Sequence, residues 1–140
     1  MGGGLILETT FLIDLERELA QGSEGPAHSF LTEHAFEPLY TTATVAGELA
    51  AGLPPDGQSR WETFLSPFDV LPIDRDVAWE YGRIYRFLRQ NGMLIGANDL
   101  WIAATAVAFD LPLVSRNVTE FRRVPGLHVL SHTDTKPFSG

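Results

Sequence analysis

The sequence predicts an α/β fold: a mainly parallel central sheet of about five strands, with helices on both faces. Two features carry this expectation. Short apolar runs alternate along the chain with longer segments of helical period. One of the longer segments, after Asn98, is rich in Ala and apolar nearly all round, as suits a helix buried against a sheet.

Leu5-Ile6-Leu7 ends at Glu8 and predicts a buried first strand, followed by Thr9-Thr10 and a helix from about Phe11 to Ala20. Residues Gly22 to Pro26 break the chain, and Ala27–Ala35 predicts a second helix. Leu39-Tyr40-Thr41 predicts the second strand. Thr44 is placed to cap a helix carrying Val45, Glu48 and Leu49, which ends near Gly52-Leu53-Pro54-Pro55. Gln58–Leu65 predicts another helix, stopped before Pro67, and Phe68–Leu71 the third strand. Asp74 caps a long helix over Arg75–Gln90, whose apolar stripe is Val77, Tyr81, Ile84 and Leu88, with Asn91-Gly92 at its end. Asn98 or Asp99 is expected to open the Ala-rich helix, which runs to Phe109. Leu113-Val114-Ser115 and Leu127–Leu130 predict the last two strands, and the tail from Ser131 to Gly140 is expected to be flexible. No repeat or low-complexity tract interrupts the chain, so residues 1–140 read as a single domain.

With 140 residues and 44% hydrophobic content, the chain can bury one core without staples. It has no cysteine, which excludes disulfides and thiolate metal sites. No apolar run approaches the roughly 20 residues of a membrane span, and the Met-Gly-Gly-Gly start lacks the flank and core of a signal peptide. A cytoplasmic location is the expectation. The net charge of −8 disfavours a polyanionic partner. Yet the charge is divided: residues 1–74 carry twelve acids and two bases, whereas residues 75–140 carry six acids and eight bases. A local basic face therefore stays open to a polyanion.

The chemistry concentrates in four positions. Glu8 ends the first strand, Glu48 lies in the helix after the second, Asp99 opens the Ala-rich helix, and Asn117 follows the fourth strand. Ligands of such sheets gather at the carboxyl ends of the strands. Carboxylates converging there raise one another's pKa, and a hard divalent cation with oxygen ligands removes that penalty. Such an ion can generate hydroxide for attack on a phosphodiester. Spacing alone leaves a plainer alternative open, with Glu8 as a charge at a helix N-terminus and Asp99 as an N-cap.

Four segments together resemble the PIN domain, and within it the VapC toxins of toxin–antitoxin pairs. They are Leu5–Leu15; Thr42–Leu53 with Ala46-Gly47-Glu48-Leu49; Ile95–Ala106 with Asp99-Leu100 and Ile102-Ala103-Ala104-Thr105-Ala106; and Leu111–Leu130 with Leu113-Val114-Ser115-Arg116-Asn117 and Phe121. The third and fourth are the more specific pair. The resemblance covers nearly the whole chain and implies a PIN-like three-layer fold. By position it makes Glu8, Glu48, Asp99 and Asn117 the catalytic set, with Glu8 and Asp99 as metal ligands for Mg²⁺ or Mn²⁺. It gives supporting places to Thr10 and Glu120; Ser115 and Arg116 are added as supporting residues, Arg116 for its place beside Asn117. It further implies endonucleolytic cleavage of RNA, a homodimer, and a cognate antitoxin whose C-terminal segment blocks the site.

One position departs from the family pattern: Glu8 stands where the family has Asp. The extra methylene moves the carboxylate by on the order of 1 Å, while Mg²⁺ holds its ligands in strict geometry. A second reading follows, a catalytically weakened PIN module that binds RNA or an antitoxin. An unrelated phosphohydrolase of small phosphates would need an aspartate nucleophile after the first strand, where the chain has Glu8. Elsewhere, Arg83, Arg86 and Arg89 share a helix face that reads as solvated surface, and Trp101 reads as core. His28, His34, His128 and His132 have no metal-ligand spacing and read as surface or loop residues.

Overall fold

A computed structural model describes residues 3–133. Its sheet holds five strands, β1 (Leu5–Leu7), β2 (Leu39–Thr42), β3 (Asp69–Leu71), β4 (Leu113–Val114) and β5 (Val129–Leu130), in the order β3-β2-β1-β4-β5. Every pairing is parallel. The apolar run Leu5-Ile6-Leu7 forms the central strand because it can be buried on both faces, and all three residues are inaccessible. Ile6 stands opposite Tyr40 on one side and Leu113 on the other.

Seven helices fill the connections: α1 (Thr9–Gln21), α2 (Pro26–Glu33), α3 (Ala43–Ala51), α4 (Gln58–Leu65), α5 (Arg75–Gln90), α6 (Ala97–Phe109) and α7 (Val118–Phe121). From β1 the chain moves outward through β2 to β3, then returns across the sheet to β4 and continues to β5. Right-handed crossovers on opposite headings place α1–α4 and α5–α6 on opposite faces. The heading reverses between β1 and β4, so the switch point of the sheet lies at the carboxyl ends of these two strands.

The fold class agrees with expectation, and the differences lie at element ends. Helix α1 starts at Thr9, earlier than Phe11, because the Glu8 carboxylate caps it by accepting the Thr10 N–H. Helix α3 is capped by Thr42, not Thr44: the Thr42 hydroxyl accepts the Val45 N–H at 3.1 Å. Helix α6 has Gly96 at its N-cap and no side-chain cap, so Asp99 is its third residue and does not cap it. Strand β4 stops at Val114, one residue short of Ser115, and β5 is confined to Val129–Leu130. Helix α7 occupies a stretch to which the sequence assigned no element. Of the tail, Ser131–Thr133 are described and the remainder lies outside the described residues.

The stripe of α5 is as expected, with Val77, Ile84 and Leu88 buried and Tyr81 stacked on Trp101 at 3.9 Å. On its outer face Arg83 pairs with Glu80 within the same helix, and Arg86 lies 5.8 Å over the ring of Trp79. One histidine departs from expectation: His132 is 7% exposed, packed edge-on to Phe11 and hydrogen-bonded to Asp14. No helix among the described residues is long and apolar enough to cross a membrane.

Candidate active site

The switch point carries polar residues directly after the two apolar strands β1 and β4. Glu8 leaves β1 fully into the interior, at 3% exposure. A buried carboxylate needs hydrogen bonds to remain charged. Glu8 has three, all to Oε1: from the Thr10 N–H at 3.1 Å, the Thr10 hydroxyl at 2.6 Å and the Ser115 hydroxyl at 2.7 Å. Ser115 follows β4, so this bond ties the two strands that border the switch point. The Ser115 hydroxyl in turn accepts the Asn117 N–H at 2.9 Å, and the Thr10 hydroxyl accepts the Arg116 N–H at 2.9 Å. Asn117 is half-buried and precedes α7 without spending its side chain on a cap.

Glu48 comes from the far half of α3 and is held by two polar side chains. The Thr9 hydroxyl donates to its Oε1 at 2.5 Å, and the Asn98 amide donates to its Oε2 at 3.3 Å. Thr9 and Asn98 were not singled out from the sequence. The signal was local: each directly neighbours a candidate acid, Thr9 after Glu8 and Asn98 before Asp99.

Asp99 closes the constellation. Its pKa is pushed up from 3.8 to about 6, first by burial and then by the carboxylates of Glu8, Glu120 and Glu48 in that order. Acids from four elements thus act on one another: Glu8 at the end of β1, Glu48 on α3, Asp99 on α6 and Glu120 on α7. Among the described residues, no three Asp, Glu or His side chains stand close enough to hold an ion jointly. The donor set still suits a hard cation. It is all oxygen, and its repulsion is what a divalent charge would relieve. Mg²⁺ usually keeps several of its waters and is bound through one or two carboxylates, so a three-residue cluster is not required.

A groove of about 290 Å³ adjoins the acids, between α1, α3 and α4. Thr9 and Glu48 stand at its acidic end, and Ile13, Leu49, Trp61 and Phe64 supply apolar walls. The Trp61 indole donates to the Ala46 carbonyl at 2.9 Å, which fixes the ring against α3.

Comparison with known proteins gives a consistent picture. The PIN-domain sequence model matches residues 5–127. A ribonuclease VapC of Rickettsia bellii is 32% identical over 136 residues, which span 91% of this chain and 96% of that one. A ribonuclease VapC1 of Rickettsia felis is 30% identical over the same shares of the two chains. Among solved structures, VapBC2 from Rickettsia felis, bound to a DNA fragment from its promoter, superposes with a TM-score of 0.78. It is 26% identical and covers 91% of this chain and 97% of its own. VapBC-1 from nontypeable Haemophilus influenzae gives 0.77 at 26% identity, covering 93% and 98%. The family match spans the positions of Glu8, Glu48, Asp99 and Asn117 and four of the five strands, and the chain belongs to the PIN-domain family.

Proposed function

We propose that this chain is a metal-dependent endoribonuclease of the VapC toxin kind. The observation that carries the reading is the convergence of Glu8, Glu48 and Glu120 on a half-buried Asp99, whose pKa is raised to about 6 first by burial and then by these carboxylates. Burial and mutual repulsion both disfavour the charged form of an acid at a sheet's switch point, and a bound cation offsets both. Divalent-metal dependence is general for the family, and the oxygen donors favour Mg²⁺ or Mn²⁺. Glu8 and Asp99 are the residues assigned to hold the ion, with Glu48 and Asn117 completing the catalytic set. The ion would supply an activated water and stabilise charge on the phosphate.

The chain's own groups prepare that chemistry. Thr10 and Ser115 hold the Glu8 carboxylate by one oxygen, and no described residue donates to the other. Thr9 and Asn98 hold Glu48. Asp99 sits on a helix whose following residues, Leu100 and Ile102 to Ala106, are all buried, so its backbone cannot swing away. RNA is the proposed substrate and a homodimer the proposed assembly. The neighbouring structures are VapBC pairs, which supports an antitoxin partner, and the apolar groove beside Glu48 offers its blocking segment a seat.

A second reading has its own observation. The longer side chain of Glu8 is already saturated at Oε1 by three donors, which favours a weakened enzyme that still binds RNA or antitoxin. Cleavage of a structured RNA in Mn²⁺ separates the readings. Turnover by the parent that is abolished in Asp99→Asn supports the enzyme. Metal-dependent RNA binding without turnover supports the binding module.

A further inference from the structure

A second polar network lies one helical turn along α1 from the acids. Asp14 follows Thr10 by four residues and so shares its face of the helix. Its carboxylate is engaged at both oxygens. Oδ1 accepts Arg116 Nη1 at 3.1 Å and Arg17 Nη1 at 3.3 Å, and Oδ2 accepts His132 Nε2 at 2.9 Å. The His132 side chain is fully buried, and its Nδ1 has no hydrogen-bond partner among the described residues. Its other ring nitrogen, Nε2, holds Asp14 in place, and Asp14 in turn holds Arg116.

Arg116 is fixed at two points. Its N–H is bonded to the Thr10 hydroxyl, which also bonds Glu8, and its guanidinium is bonded to Asp14. The side chain remains about half exposed, at 48%. A guanidinium has five N–H donors, so most stay available for a phosphate. Through Thr10, Arg116 lies next to Glu8, one of four acids that act on one another, and an incoming polyanion needs a cation beside them.

We propose that Asp14, clamped by His132, is a positioning residue that aims Arg116 at a phosphate of the RNA substrate beside the acidic pocket. The proposal rests on the ribonuclease reading above. Arg17 is the internal contrast: it contacts the same oxygen of Asp14 but lacks the second bond, to the Thr10 hydroxyl, that fixes Arg116.

The test is steady-state cleavage of a single-stranded RNA oligonucleotide in Mn²⁺, with melting curves for each variant. Arg116→Ala and Asp14→Asn should each raise KM by about tenfold or more while kcat stays within about threefold, the mark of a lost binding contact. The double variant should be no worse than Arg116→Ala alone, since both changes remove one contact. Arg17→Ala should cut like the parent. If Asp14→Asn does not fold, Arg116→Ala decides, because that side chain is half exposed. Its kcat/KM should fall less steeply with salt, the log–log slope shrinking by about 0.7 for one lost phosphate contact. A parental KM in Arg116→Ala, an unchanged salt slope, or multiplicative effects in the double variant would overturn the proposal. Failure of Asp99→Asn to slow cleavage in the same assay would instead overturn the ribonuclease site.

Discussion

Asp99→Asn in the metal-free protein gives the sharpest physical prediction. A carboxyl raised from 3.8 to about 6 stores about 3 kcal/mol of unfavourable free energy in its ionised form, at about 1.36 kcal/mol per pKa unit. Asp99 is only half-buried, so solvent screening reduces this to roughly 1–2 kcal/mol. Against the gain stands the loss of a negative charge in the first turn of α6, worth about 0.3–1 kcal/mol. Asn should therefore stabilise the fold by about 1 kcal/mol at neutral pH and above. For a domain of this size that is roughly 3 °C in Tm. The sign with pH follows from the raised pKa. Between about pH 4 and 6 the folded parent binds more protons than the unfolded chain, so its stability falls as pH rises through that window. The variant lacks that proton. Its advantage should be present at about pH 8 and gone by about pH 4, where Asp99 of the folded parent is itself protonated and carries no charge to relieve. Thermal melting of both proteins in EDTA, across that range, is the assay. A difference in Tm that does not change with pH, or a variant less stable at pH 8, would refute the reasoning.

Three further outcomes follow from the same geometry. Millimolar Mn²⁺ should raise the Tm of the parent at neutral pH, by about 2.7 kcal/mol of stabilisation at a hundredfold excess over Kd, and should raise that of Asp99→Asn less; equal shifts would remove Asp99 from the metal site. Glu8→Asp should increase kcat severalfold, since a carboxylate misplaced by about 1 Å can lower a rate by roughly 100-fold; an unchanged or lower kcat would mean that Glu8 is the better-fitted residue in this chain. Thr10→Ala removes a hydroxyl that bonds Glu8 and the Arg116 N–H, so it should destabilise the fold by about 1–3 kcal/mol in denaturant titration and lower cleavage as well; a neutral effect on both would show that the hydroxyl organises nothing.

Much of this was legible in the sequence because the strong signals are local. Leu5-Ile6-Leu7 reads as a buried strand from three residues, and the stripe Val77, Tyr81, Ile84 and Leu88 fixes α5 over its full length. Of the candidate acids only Glu8 stood out locally, at the end of an apolar strand; Glu48 and Asp99 lie in helices and were assigned by the likeness of their segments to the PIN family. Helix ends were harder. Thr41, Thr42 and Thr44 all have the chemistry of a cap, and only the register of β2 against β3, which extends to Thr42, selects Thr42. Four-residue α7 is too short to show a period. His132, read as a surface or loop residue, does lie in a bend after β5, and its burial was hidden because it depends on Asp14 and Phe11, more than a hundred residues earlier. The same distance hides the role of Asp14, which in sequence is one acid among several on α1.

The central claim is that the acids at the β1–β4 switch point form a metal-dependent ribonuclease site. Cleavage of a structured RNA by the purified parent, in Mg²⁺ or Mn²⁺ and again in excess EDTA, with Asp99→Asn alongside, tests it most directly. The expected result is internal cleavage with metal, none in EDTA, and a loss of about 100-fold or more in the variant. Cleavage that persists in EDTA, or a variant that cuts as fast as the parent, would contradict it.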